Sequence, residues 1–421
     1  MEDTNPGPIL IKAARLIDGN GGSPIKEGAV LIEGDQITAV GSVTEIEPVG
    51  TDRIEVLDYG DRTILPGFVD SHVHLVGIGD GRAGDELTTL PDEVLTLQAA
   101  RNARTHLHSG VTTVRDCGAK NRTTFMLRQA MEMEITYGPK LVLTGRPAAI
   151  IGGHLSYFGI QATGVDECRA AVRQLIKEGA DFVKITASGG STRTSISERP
   201  SFNVDELTAI CDEVRKFGKH TAAHCVNSQA MLNCLDAGID TIIHGRHVEP
   251  DGSTVYREDV TERIAKQGVF VNYNMGTANY LRQKLGTKRD QEGLTENEQD
   301  TLDGLVEHFE RDCEIYSRMR SGGVTIVCGS DSAWGPYKMG QFNYEVEAHE
   351  AIGITPMEAI VAATKDAARS CMVDDRVGTL EPSKEADILV VDGDPSREIT
   401  AIREVVDVFK SGCRVSTGAS E

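Results

Sequence analysis

At 421 residues the chain exceeds the roughly 250 that a barrel of alternating strands and helices uses, so one large domain with a smaller companion is expected. Its 43 basic and 64 acidic residues leave a net charge of −21, which repels phosphate backbones and anionic lipid surfaces and argues against nucleic acid and membrane as partners. No apolar run nears the roughly 20 residues that span a bilayer, residues 1–6 lack the basic and apolar regions of an export signal, and nine scattered cysteines suit a reducing compartment, so a cytoplasmic protein is expected with no catalytic cysteine.

The chain begins with short strands and turns over 8–56, among them Ile9-Leu-Ile-Lys and Ala29-Val-Leu-Ile-Glu-Gly-Asp-Gln-Ile-Thr-Ala-Val. Ala386-Asp-Ile-Leu-Val-Val-Asp-Gly-Asp and Val405-Val-Asp-Val-Phe-Lys-Ser-Gly echo that pattern at the far end, so both ends are expected to pair into one satellite domain. Between them, β-rich apolar bursts at 63–69, 112–116, 140–144, 182–185, 221–224, 241–244, 269–272 and 325–329 alternate with stretches of helical period. Segments 87–108, 165–178, 204–217 and 228–237 have the apolar spacing of helices that cover a barrel, and the charged 281–320 reads as one solvated helical excursion. The expectation is a (β/α)8 TIM barrel over 65–370, with a small β-sandwich from 1–64 and 371–421.

The first burst runs into Leu65-Pro-Gly-Phe-Val-Asp-Ser-His-Val-His74. Side chains alternate along a strand, so His72 and His74 fall on one side at its carboxyl end, where two imidazoles can grip one cation or simply fill space. In a barrel the reactive residues sit at the carboxyl ends of several strands. The fourth burst, Asp181-Phe-Val-Lys-Ile-Thr-Ala-Ser-Gly-Gly190, sets Lys184 in an apolar strand, where burial favours the neutral amine that can take up carbon dioxide as a carbamate; otherwise the ammonium must reach solvent or an acid. The fifth and sixth bursts end at His224 and His244, and the eighth runs through Cys328-Gly-Ser-Asp331. Singly, such residues are hydrogen-bonded core histidines or aspartate caps. Together they form a metal-ligand set at strands one, four, five, six and eight.

With these residues in place the chain resembles the amidohydrolase superfamily over nearly its whole length. The matching stretches are Pro66-Gly-Phe-Val-Asp-Ser-His-Val-His, Gly110-Val-Thr-Thr-Val-Arg-Asp-Cys-Gly, Gly152-Gly-His154, Phe182-Val-Lys-Ile-Thr-Ala-Ser-Gly-Gly, Ala223-His224, Ile243-His-Gly245 and Gly329-Ser-Asp331. The pattern is most similar to the branch of Xaa-Pro dipeptidases, arginine-type carboxypeptidases and related amide and carbamate hydrolases. The resemblance implies that His72, His74 and Asp331 bind the more buried of two divalent ions, that His224 and His244 bind the more exposed one, and that carboxylated Lys184 bridges both. It also implies homo-oligomers.

Two cations about 3.5–4 Å apart can share a water and lower its pKa, giving a bridging hydroxide as nucleophile. Asp331 would accept its proton and return one to the leaving amine. His154 could hydrogen-bond the developing oxyanion, and Tyr157 and Arg193 are candidates to meet the substrate. Zinc is the default metal, and cobalt and manganese suit the same ligands. Where peptidases of this branch carry a tyrosine after the fifth-strand histidine, this chain has Val226, which offers no hydrogen bond. The expected activity is hydrolysis of an N-acyl amino acid or dipeptide. A xenobiotic amide, phenylurea or carbamate is the alternative substrate, with a deaminase or a noncatalytic assembly protein behind it. His106, His108, His247, His308 and His349 are expected to be solvated.

Overall fold

The structure is a computed structural model that describes residues 7–46 and 54–415, so residues 1–6, read above for an export signal, lie outside the described residues. Both ends of the chain build one eight-stranded sheet. In spatial order it runs Cys413–Val415, Val405–Lys410, Ile388–Asp392, Arg62–Pro66, Ile9–Leu16, Ile25–Glu33 and Gln36–Ser42, and Glu55–Asp58 pairs on Ile9–Leu16. The expected continuous stretch from Ala29 to Val40 is two strands of a hairpin, because Gly34 takes a φ of +62° that reverses the chain. Period-two alternation splits this sheet's apolar residues between its faces. Ile64, Ile388 and Val390 join a cluster with Ile11, Val30 and Phe409, while Leu65, Leu389 and Val391 pack into the large central core.

The first expected burst is divided by Gly67. Arg62–Pro66 stays in the terminal sheet, paired with Ile388–Asp392, and Phe68–Val73 begins a parallel set. A Cβ at Gly67 would lie 2.3 Å from the Thr112 side chain, so only glycine permits the chain to cross there.

All eight bursts form strands, numbered here in chain order: Phe68–Val73, Val111–Asp116, Lys140–Leu143, Phe182–Thr186, His220–Asn227, Thr241–Val248, Phe270–Asn272 and Ile326–Val327. The first three make a parallel sheet, and the last five, with the short strands Ala148–Ala149 and Ile160–Gln161, make a second one. Hydrogen bonds cross both seams between these sheets. The Asp181 N–H donates to the Leu143 carbonyl at 2.7 Å on one side, and the Asp331 N–H donates to the His72 carbonyl at 2.7 Å on the other. Strands one, two and four are buried along their entire length, as parallel strands covered on both faces must be.

Helices follow the strands. Asp92–His108, Gly164–Glu178, Val204–Lys216 and Ser228–Ala237 occupy the expected places, except that 87–108 is interrupted at Pro91, ahead of which Gly84–Thr89 forms a separate 3-10 turn. The expected single excursion is two helices, Gly276–Gln291 and Glu296–Ser321. Gly293, at φ +82°, ends the first, and a Thr295/Glu298 capping box starts the second. Among the described residues no helix is long and apolar enough to cross a membrane.

Candidate metal centre

His72 lies in the buried first strand, and His74 follows its end. Their rings are 5.3 Å apart between centroids, and both Nε2 atoms approach Asp331 Oδ1, at 3.3 and 3.4 Å. That oxygen is buried and has no hydrogen-bond partner among the described residues. The second strand orients His74: Asp116 accepts the Leu75 N–H at 2.7 Å, and two residues on, the Gly118 carbonyl accepts from His74 Nδ1 at 2.8 Å. With its proton fixed on Nδ1, the His74 Nε2 lone pair faces Asp331. Burial, reinforced by Lys184, pushes both imidazoles below the usual histidine range, His74 to about 3, so they are neutral. Burial also pushes the Asp331 carboxyl up to about 7.

Lys184 is 1 % exposed, and its Nζ lies 3.2 Å from His72 Nε2. Desolvation lowers its pKa, which makes the free amine accessible. The alternative of a head that reaches solvent is excluded by its burial. His224 and His244 line the same cavity of about 570 Å³, with rings 4.6 Å apart, and His244 stands 5.7 Å from His72. His224 Nε2 is 3.0 Å from the Gly189 carbonyl, an acceptor only, so this nitrogen carries the proton and Nδ1 is free to bind. His154 also lines the cavity, 4.3 Å from the His224 ring, with the Thr192 hydroxyl 3.0 Å from its Nδ1. Gly190 makes room for it, since a Cβ there would sit 2.8 Å from the His154 ring. Tyr157 and Val226 are on the cavity wall; Arg193 is exposed and lines a neighbouring pocket that also touches Tyr157.

These residues suit divalent cations. The imidazoles of His74 and His224, each held by a backbone carbonyl, a carboxylate oxygen of Asp331 without a hydrogen-bond partner among the described residues, and the buried Lys184 amine, whose hydrogen-bond contact is His72, form a donor set open to a cation. A sequence model described as the amidohydrolase family matches residues 63–415, most of the chain. The chain belongs to the amidohydrolase family. Ochratoxinase of Aspergillus niger is 26% identical to this amidohydrolase-family chain over 441 residues, covering 96% of this chain and 85% of that protein. The solved structure of an Xaa-Pro dipeptidase with bound methionine in the active site is similar at a TM-score of 0.81 and 24% identity, covering 97% of this chain and 100% of the other. Phenylurea hydrolase B is similar at a TM-score of 0.78 and 22% identity, with 97% of each chain covered. At these identities the structural likeness speaks for the fold, and family membership makes the chain a hydrolase of carbon–nitrogen bonds.

The amidohydrolase also contains site residues that the sequence reading did not single out. Asp70 accepts from the His72 and Ser330 N–H groups at 3.1 and 2.9 Å and from His106 Nε2 at 2.9 Å, so one buried carboxylate ties the His72 strand to the Asp331 loop. His106 is therefore wholly buried, not solvated, with Nδ1 accepting from the Gly340 N–H. His247 and His349 are likewise buried, the first accepting from the Arg257 N–H and the second hydrogen-bonded to the Glu345 carbonyl. His308 is exposed as expected and His108 partly so. Trp334 covers His74 at 4.9 Å between rings, and Arg82 and Arg246 bring guanidinium groups to the cavity.

Proposed function

We propose that this enzyme holds two divalent cations and hydrolyses the amide C–N bond of an N-acyl amino acid or dipeptide. The observation that carries the reading is the buried meeting of His72, His74, Lys184 and Asp331, with Lys184 Nζ and Asp331 Oδ1 each within hydrogen-bond range of His72 Nε2 and the carboxylate oxygen otherwise unpartnered. His72, His74 and Asp331 would hold one cation, His224 and His244 the other, and a carbamate on Lys184 would bridge them. Zinc is the default, with cobalt or manganese equally served by these donors. When bound, the cations supply the Lewis acidity that activates water and polarises a carbonyl.

The chain's own groups do the rest. Asp331 takes a proton from the attacking water and returns one to the departing nitrogen, which must leave as a neutral amine. Thr192 accepts the Leu155 N–H at 3.0 Å and stands 3.0 Å from His154 Nδ1; with the Thr192 hydroxyl donating there, the His154 Nε2–H would meet the carbonyl oxygen as charge builds on it. Trp334 and Tyr157 limit water access at the rim.

We read the two parallel sheets as one closed (β/α)8 barrel, joined through the hydrogen bonds at both seams, with 65–370 as the hydrolase domain and 1–64 and 371–421 as the satellite. A cytoplasmic homo-oligomer belongs to the same reading. Val226 favours a second substrate class, phenylureas or carbamates, because its side chain gives the wall an apolar patch; phenylurea hydrolase B shares the fold. The test is to count bound metal and assay N-acyl amino acids and Xaa-Pro dipeptides beside phenylureas and carbamates. Two cations per chain and cleavage of carboxylate-bearing amides are expected. Turnover confined to neutral, carboxylate-free compounds replaces the first substrate class with the second, and full activity without bound cation overturns both.

A further inference from the structure

Three arginines stand near the cavity, and their surroundings differ. Arg193 is exposed and faces the neighbouring pocket. Arg82 lines the cavity, but Asp80 already occupies its fork, with oxygens 2.8 to 3.0 Å from the guanidinium nitrogens. Arg246 lines the cavity beside His244 and Val248, at the end of the sixth strand. The intervening His247 turns away and stacks on Tyr256 with rings 5.7 Å apart.

The Arg246 guanidinium faces the Tyr316 hydroxyl, and its nearest carboxylate, Asp312 on the helix Glu296–Ser321, is 3.9 Å away. That distance is beyond a hydrogen bond, so Asp312 takes none of the five N–H donors, and those not turned to Tyr316 remain available while the Asp312 charge still holds the group in place. Nearly half of the side chain, 47 %, is accessible. A second cavity of about 320 Å³, lined by Arg246, Tyr273, Met275, Phe309 and Tyr316, opens on its other side. The hydroxyl of Tyr273 is buried there without a partner among the described residues. An overall charge of −21 repels an anionic substrate, so a planar cation at the reaction cavity would help to receive one.

We propose that Arg246 anchors the free carboxylate of the substrate's amino-acid half, making this a hydrolase of amides that bear a carboxylate beside the scissile bond. The proposal rests on the amide-hydrolase reading and narrows it. It also offsets Val226: the recognition that a tyrosine after the fifth-strand histidine would give is supplied from the sixth strand.

The test compares N-benzoyl-L-alanine with N-benzoyl-L-alaninamide on metal-loaded wild type, R246Q and R246K, by steady-state kinetics and by calorimetric binding. R246Q is expected to raise KM and Kd for the carboxylate about ten- to a hundredfold with kcat little changed, and to leave the carboxamide unaffected. R246K keeps the charge without the fork and should recover part of the loss. Equal losses for both compounds, or none for either, overturn the anchor. If wild type cleaves neither compound while it turns over other members of the amide panel, only the N-acyl amino acid reading falls, and the calorimetry still decides: carboxylate-selective binding that R246Q abolishes supports the anchor, and equal binding of the pair rejects it.

Discussion

Asp70 shows how much of the centre depends on a residue that would touch neither metal nor substrate. Both its oxygens accept hydrogen bonds, from His72, Ser330 and His106, so D70N must turn an amide N–H toward at least one donor. The variant is expected to lose about 1–3 kcal/mol of stability and about ten- to a hundredfold in metal affinity. Thermal melts of metal-free protein and titration against a competing chelator measure the two separately, and unchanged metal affinity would mean that strand pairing alone positions His72. The residues proposed as ligands were legible because each lies in or just after a short β-rich burst, a local signal. Asp70 and His106 were not: their contact spans 36 positions, and a histidine on a helix gives no sign of which partner will bury it. Arg246 was within reach, since it follows His244 by two on a strand, but its loose pairing depends on where a later helix places Asp312.

The first of the two helices after the seventh strand is pinned by a group with its own pH signature. Glu345, in the short helix Asn343–Ala348, accepts the N–H of Gly276 at the start of Gly276–Gln291, and burial pushes its carboxyl up to about 8. The folded protein therefore holds a proton there that the unfolded chain, near the ordinary 4.5, gives up earlier. The stability this contributes is fully present below about 4.5 and is lost as pH climbs through about 8. E345Q keeps the hydrogen-bonding oxygen and removes the titration, so denaturant unfolding of the variant between pH 5 and 9 is expected to show a flatter decline than wild type. An identical slope would place the charge elsewhere. The period-3.6 signal marked this region as helical yet missed its division, because Gly293 is a single residue in a charged stretch and its effect comes from backbone conformation, not from apolar spacing.

For the molecule as a whole, the proposed ligands come from strands one, four, five, six and eight or from the segments just after them, so bound cations would cross-link the chain. An ion that binds only the folded state adds about 4 kcal/mol at a thousandfold excess over its Kd, so chelation is expected to lower Tm by calorimetry and re-addition to restore it. A melting point indifferent to chelator would contradict a shared ion site. The order of strands and helices was readable from alternating periodicities, since both faces of the parallel strands are covered and their apolar bursts are continuous. The hand-over at Gly67 was not, because it is set by the nearness of Thr112, a tertiary contact.

The terminal sheet has a bearing on how the protein is made. Arg62–Pro66 pairs on one side with Leu16 and its neighbours and on the other with Ile388–Asp392. As the nascent chain leaves the ribosome, the first of these pairings can form early, while the second edge stays open until about 320 further residues have been translated. A message truncated before codon 388 would release a polypeptide that contains every proposed metal ligand, yet exposes an unzipped β-edge to other chains and to quality-control proteases.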